Sequence, residues 1–158
     1  MKDILSRFDE ILNLAIEWAE AQEKKILQLG LPIDSRLLIN DAGKAGVVHI
    51  NKVRICPVQI IPSPENPLLI EACNQINFIP SRMIGLTLGY GIYIKNSHQK
   101  DHALCLHELV HVAQYEHFGS IRNFLKQYLA EIVQYGYNAA PLEIEAYKFV
   151  KSLYGPKV

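Results

Sequence analysis

The 158-residue sequence predicts an α+β fold, and three observations carry that prediction. Residues 4–29 place apolar side chains at helical spacing. Two β-rich runs, 47–55 and 84–95, occupy the middle of the chain. The last third reads as three successive helices punctuated by glycine. Strands precede these helices rather than alternating with them, which is the α+β pattern rather than the βαβ one.

Taken in order, Ile4, Phe8, Ile11, Leu12, Ala15, Ile16 and Ala19 form one stripe of an amphipathic helix, closed by Gly30 and Pro32. Such a stripe is expected to cover its own domain. Leu37, Leu38 and Ile39 make a short apolar run, and Asn40-Asp41-Ala42-Gly43 supplies turn chemistry. Alternation through Val47, His49, Asn51, Val53 and Ile55 predicts a strand, and Pro57 and Pro62 place it near an edge or a bulge. Ser63-Pro64-Glu65 reads as the start of a helix reaching about Ile76. Gly85, Gly89 and Gly91 cut the run 84–95 into a hairpin or one bulged strand. Helices are then expected at 101–118, 121–135 and 141–153, with Gly119, Gly136 and Gly155 at their ends and Ser120 and Pro141 at two of their starts.

Composition excludes several classes. Apolar residues make up 49% and charged residues 20%, which removes a disordered chain, a collagen-like fibre and a coiled-coil rod. Sixteen Lys and Arg balance sixteen Asp and Glu, so no global field draws the chain to nucleic acid or to anionic lipid. Cys56, Cys73 and Cys105 are sparse, odd in number and without CxxC spacing, as expected in a reducing compartment. Charges at Asp3, Arg7, Asp9, Glu10 and Glu17 interrupt any signal-peptide core. The longest uncharged stretch, 83–94, has 12 residues, whereas a membrane helix needs about 20. The expectation is a cytoplasmic protein with no membrane and no nucleic-acid partner.

One motif carries chemistry: His107-Glu108-Leu109-Val110-His111. At about 100° per residue, side chains four apart lie roughly 40° and 6 Å from each other on a helix, so both imidazoles leave one face. Zn²⁺ accepts nitrogen ligands at about 2.0–2.1 Å and keeps room for a third protein ligand and a water. Glu108 stands about 100° round the helix from His107, where it can reach that water as a general base without ligating the metal. The flanking residues Leu104, Cys105, Leu106, Val112 and Ala113 are uncharged, so the motif lies in a buried helix that carries costly polar groups. On the same helix Cys105 points away from His107 and reads as core.

Four residues compete to be the third ligand. His117 has metzincin spacing from His107, but Gln114 stands where that pattern needs a chain-turning glycine. On a continuous helix His117 would lie about 15 Å further along. Glu131 is placed for a helical hairpin returning past the metal. Glu143 and Glu145 share the last helix, and because they point about 160° apart only one of them can face the site. Tyr115, Tyr135, Tyr137 and Tyr147 are candidate stabilisers of an oxyanion, each also explicable as a packing aromatic. His98 and His102 precede the helix as expected solvated residues.

HELVH followed by Glu143-x-x-Ala146 on a later helix resembles the zincin metallopeptidases of the gluzincin type. HELVHVAQY with PLEIEAY also looks like small bacterial HExxH domains of unknown function, some of them in contractile-injection-system proteins. The resemblance implies one zincin-like domain over residues 1–158, with a small mixed sheet packed on the active-site helix and further C-terminal helices. It implies Zn²⁺ held by His107, His111 and Glu143, Glu108 as general base, and hydrolysis of a peptide or protein substrate. It also implies that a sheet edge within 86–95 binds extended substrate, with Gly89 and Gly91 admitting its backbone. Tyr147 stands where gluzincins often carry an Asp that supports a ligand. That departure motivates the alternative of a zincin-like module that binds metal with weak or no catalysis and serves interaction or assembly. Imidazole and carboxylate donors suit other divalent ions as well.

Overall fold

The structure is a computed structural model and describes residues 2–155. Its elements follow the order α1 (Lys2–Ser6), α2 (Phe8–Leu29), α3 (Arg36–Lys44), β1 (Arg54–Val58), α4 (Pro67–Gln75), β2 (Gly85–Leu88), β3 (Gly91–Lys95), α5 (His102–Phe118), α6 (Ile121–Tyr135) and α7 (Pro141–Tyr154). The class is α+β. No helix among the described residues is long and apolar enough to cross a membrane.

The sheet has strand order β1-β3-β2, with β1 parallel and β2 antiparallel to the central β3. Alternation along these strands sorts their side chains between two helical layers. Tyr93, Leu86 and Leu88 join the cluster built on Leu12, Ile16, Ala19 and Ile26 of α2. Ile92 and Ile94 join Leu106, Leu109 and Val112 of α5, together with Leu38 and Ala42 of α3. β3 is therefore apolar on both faces, which is why its sequence shows no clean alternation. Leu106, Leu109 and Val112 are completely buried, each stabilising the domain by about 1.5–3 kcal/mol. With ten of its seventeen residues buried, α5 runs through the centre of the domain.

Helices 5, 6 and 7 lie within a residue or two of the expected spans because their ends are set locally. Asp101 and Ser120 accept from Leu104 N and Asn123 N, and Gly119 closes α5 with φ +84°. Elsewhere the structure differs from the sequence expectations. The first helix breaks at Arg7. Asn40-Asp41-Ala42-Gly43 lies inside α3, because Ser35 caps that helix and Asp41 is buried against His102 and Tyr154. The strand expected over 47–55 is displaced to Arg54–Val58, and residues 50–52 form a 3-10 turn. β1 is an edge strand, as Pro57 required. The helix expected from Ser63 begins instead at Pro67, with Asn66 as its cap.

Residues 84–95 form a hairpin. Its glycines serve packing rather than an incoming chain, which corrects the expectation for Gly89 and Gly91. Gly89 occupies the tip with φ +67°, and a Cβ there would meet Glu23 Oε2 at 1.8 Å; Gly91 lets Ile26 of α2 approach, with a Cβ 2.9 Å from that side chain. Glu23 Oε2 accepts from Tyr90 N at 2.8 Å and fixes the tip to α2. β3 is central in the sheet, so on this side the edge is β2, where Thr87 O accepts from Tyr115 OH at 3.2 Å and Gly85 lies on a cleft.

Candidate metal centre

Helix α5 places His107 and His111 one turn apart, and α7 runs back along it antiparallel. The start of α7 lies beside Gln114 and its end beside His102. Two imidazole nitrogens and both oxygens of one carboxylate meet there. His107 Nε2 is 3.2 Å from Glu143 Oε1, His111 Nε2 is 3.2 Å from His107 Nε2, and His111 Nε2 is 2.8 Å from Glu143 Oε2. All three residues are buried, Glu143 completely. A tetrahedral cation with bonds of about 2.0–2.1 Å holds its donors about 3.3 Å apart; here one donor atom from each residue lies within 4.8 Å of the others, with a different Glu143 oxygen facing each imidazole. With no cation these groups hydrogen-bond one another, and one cation would take all three at once. His107, His111 and Glu143 could therefore hold a metal ion.

Gln114 settles which nitrogen of His111 is free. Its amide nitrogen donates to Leu142 O at 3.0 Å and to Glu145 Oε1 at 3.2 Å, two groups that only accept. Its Oε1 must therefore face His111 Nδ1, at 2.7 Å, and that nitrogen donates. The lone pair of a neutral His111 is then on Nε2, aimed at the other two donors. Without a cation, Nε2 carries a proton. Burial alone would lower the His111 imidazolium, but the hydrogen bond and charge of Glu143 override it and push the value up to about 9. Burial likewise would raise Glu143, yet the two imidazoles hold its carboxyl well below the usual range. Tyr128 OH also donates to Glu143 Oε2 at 3.0 Å.

The other candidates for third ligand are occupied elsewhere. Glu131 accepts from Leu142 N at 2.9 Å and from Gln127 Nε2 at 2.9 Å. It thereby replaces the cap that Ala140 cannot provide and anchors the first turn of α7, where Glu143 sits. Glu145 is exposed and bonded to Gln114, and His117 is exposed in the last turn of α5. His102, expected in solvent, pairs with Asp41 at 2.9 Å. Cys105 lies in the core.

Glu108 faces the sheet. Thr87 Oγ1 donates to its Oε2 at 2.6 Å and also lies 3.0 Å from its backbone carbonyl. Oε1 points at Gly85, where a Cβ would approach to 2.7 Å. Residues two apart on a strand share a face, so β2 supplies a hydroxyl to hold the carboxylate and an absent side chain to make room for it. His107, Glu108 and Gly85 all line one cleft of about 840 Å³. Tyr137 and Tyr147 line it too, and the Tyr147 ring lies 4.6 Å from that of His107. Tyr115 is instead buried, donating to Thr87 O at 3.2 Å, and Tyr135 lines a neighbouring cavity.

Sequence reasoning missed Gln114, Thr87, Gly85 and Tyr128. Only Gln114 left a trace, as an amide inside an otherwise apolar helix where burial demands partners. Compared with protein-family models, curated proteins and solved structures, the chain matches none.

Proposed function

We propose that this chain is a zinc-dependent metallopeptidase of zincin type, with His107, His111 and Glu143 as ligands and Glu108 as general base. The observation that carries the reading is the single free oxygen of Glu108. Oε2 is tied to Thr87, while Oε1 is left facing Gly85 on the wall of the cleft that also holds His107. A divalent cation in the triad would lower the pKa of a water and polarise a scissile carbonyl. Glu108 takes the proton of the attacking water through Oε1 and passes it to the leaving amine. Ile84 O accepts from Lys95 N at 2.8 Å, so the antiparallel alternation turns the N–H and C=O of Gly85 away from β3. An extended peptide pairing with that edge lies across the cleft.

The test is zinc content and peptide turnover of the purified protein beside Glu108→Gln. Turnover should vanish in the variant while one equivalent of zinc is retained. Protein that carries no zinc, or a variant that still hydrolyses, would sink the reading. The Tyr147 ring over His107 favours a second reading, a metal-bound module for interaction or assembly, because it narrows the approach to the ligands. Wild-type protein loaded with zinc yet inert on every peptide selects that alternative.

A further inference from the structure

The cleft has a marked chemical asymmetry. Its walls are Met83, Ile84, Leu104, Val150 and tyrosine rings, and Glu108 is the one carboxylate among the residues lining it. Two cations stand in the same lining, Arg82 before β2 and Lys151 on α7. Both are exposed, and among the described residues neither has an ion-pair partner. Arg82 has its backbone fixed in place. It ends a 3-10 turn that begins at the fully buried Pro80, and its N–H donates to Ile79 O at 3.0 Å. It also lines a second cavity of about 710 Å³, which shares Met83 and Tyr137 with the first. Arg82 thus stands in the lining of both cavities.

We propose that Arg82, assisted by Lys151, selects peptides carrying an acidic side chain close to an apolar residue. The cleft takes the apolar side chain and Arg82 takes the carboxylate. A guanidinium suits this task because its planar donor fork matches a carboxylate in two-point contact. The inference rests on the peptide-hydrolysing reading and adds the substrate class to it.

The experiment measures binding and cleavage separately. Three terminally blocked peptides differ at one position next to a leucine, bearing Glu, Gln or Lys. Their binding to zinc-loaded Glu108→Gln protein is read by fluorescence anisotropy and their hydrolysis by wild-type protein is read by chromatography. The Glu peptide should bind about tenfold more tightly than the Lys peptide, with Gln between, and high salt should shrink the gap. Arg82→Glu should reverse the order, and Lys151→Glu should narrow it. A melting temperature equal to that of the parent shows that these exposed substitutions leave the fold intact. Equal binding of the three peptides, no binding of any, or an order unmoved by Arg82→Glu overturns the inference. Selective binding without cleavage by wild-type protein upholds it and overturns the hydrolase reading instead.

Discussion

Gly85→Ala separates the placement of Glu108 from the stability of the fold. The added methyl would lie 2.7 Å from Glu108 Oε1 and 3.1 Å from its Cγ and Cδ. Ordinary contact begins near 3.4 Å, so the carboxylate must withdraw by about 0.7 Å. It cannot withdraw freely, because Thr87 holds Oε2 at 2.6 Å and the side chain is buried. Oε1, the oxygen facing the cleft, takes the displacement. A misplacement approaching 1 Å costs about 100-fold in rate, so kcat should fall roughly 10- to 100-fold. The backbone of Gly85 does not need glycine, since it lies outside the left-handed region. Alanine in a strand is favoured over glycine by about 0.5–1 kcal/mol, which offsets the local crowding. The three ligands are untouched, so zinc content and Tm should match the parent. The assay is steady-state hydrolysis beside elemental analysis and a thermal melt. Undiminished kcat in a folded, zinc-loaded variant would refute the role given to Oε1.

Three other outcomes follow from the same geometry. Gln114→Leu leaves His111 Nδ1 and the Leu142 carbonyl without their partner; stability should drop by about 1–3 kcal/mol and zinc affinity by roughly 10- to 100-fold, measured by denaturant melts and chelator competition. Glu131→Ala removes the acceptor of Leu142 N and should cost about 1 kcal/mol while zinc stoichiometry stays at one, and loss of the metal in Glu131→Ala but not in Glu131→Gln would contradict its role as a cap alone. In chelator, the raised His111 contributes stability that is fully present below its ordinary value of 6.5 and lost as pH rises through about 9. The depressed Glu143 contributes stability present above 4.5 and lost on acidification. The Tm of metal-free protein should therefore be highest between these two values and fall toward pH 9. A Tm that climbs over that alkaline range contradicts the buried ion pair. Zinc must displace the same proton, so its affinity should rise with pH over that interval.

What the sequence made legible was what neighbouring residues decide. Helices 5 and 6 are bounded by their own caps and glycines, α7 opens on Pro141 and ends at Gly155, and the two histidines share a face because four residues make about one turn. Helix α3 was hidden because Asp41, a turn former in isolation, is spent on His102 and Tyr154 from distant elements. The carboxylates were harder to rank. Glu131 and Glu143 are both buried acids on adjacent helices, and which one faces the histidines depends on which reaches the open N–H of Leu142. Gly85 and Thr87 look like an ordinary strand segment until the pairing with β3 turns them onto α5.

The proposed ligands join α5 to α7, with His107 and Glu143 separated by 36 positions in the chain. An ion seated there would act as a detachable staple, closing a loop that contains all of α6. α7 is already seated without that clasp, by Leu142 in the core, by Phe149 and Val150 packed against it, and by the bonds of Leu142 to Gln114 and Glu131. On the proposed reading, metal supply would add one more tie between the C-terminal third and a body on which it is already packed.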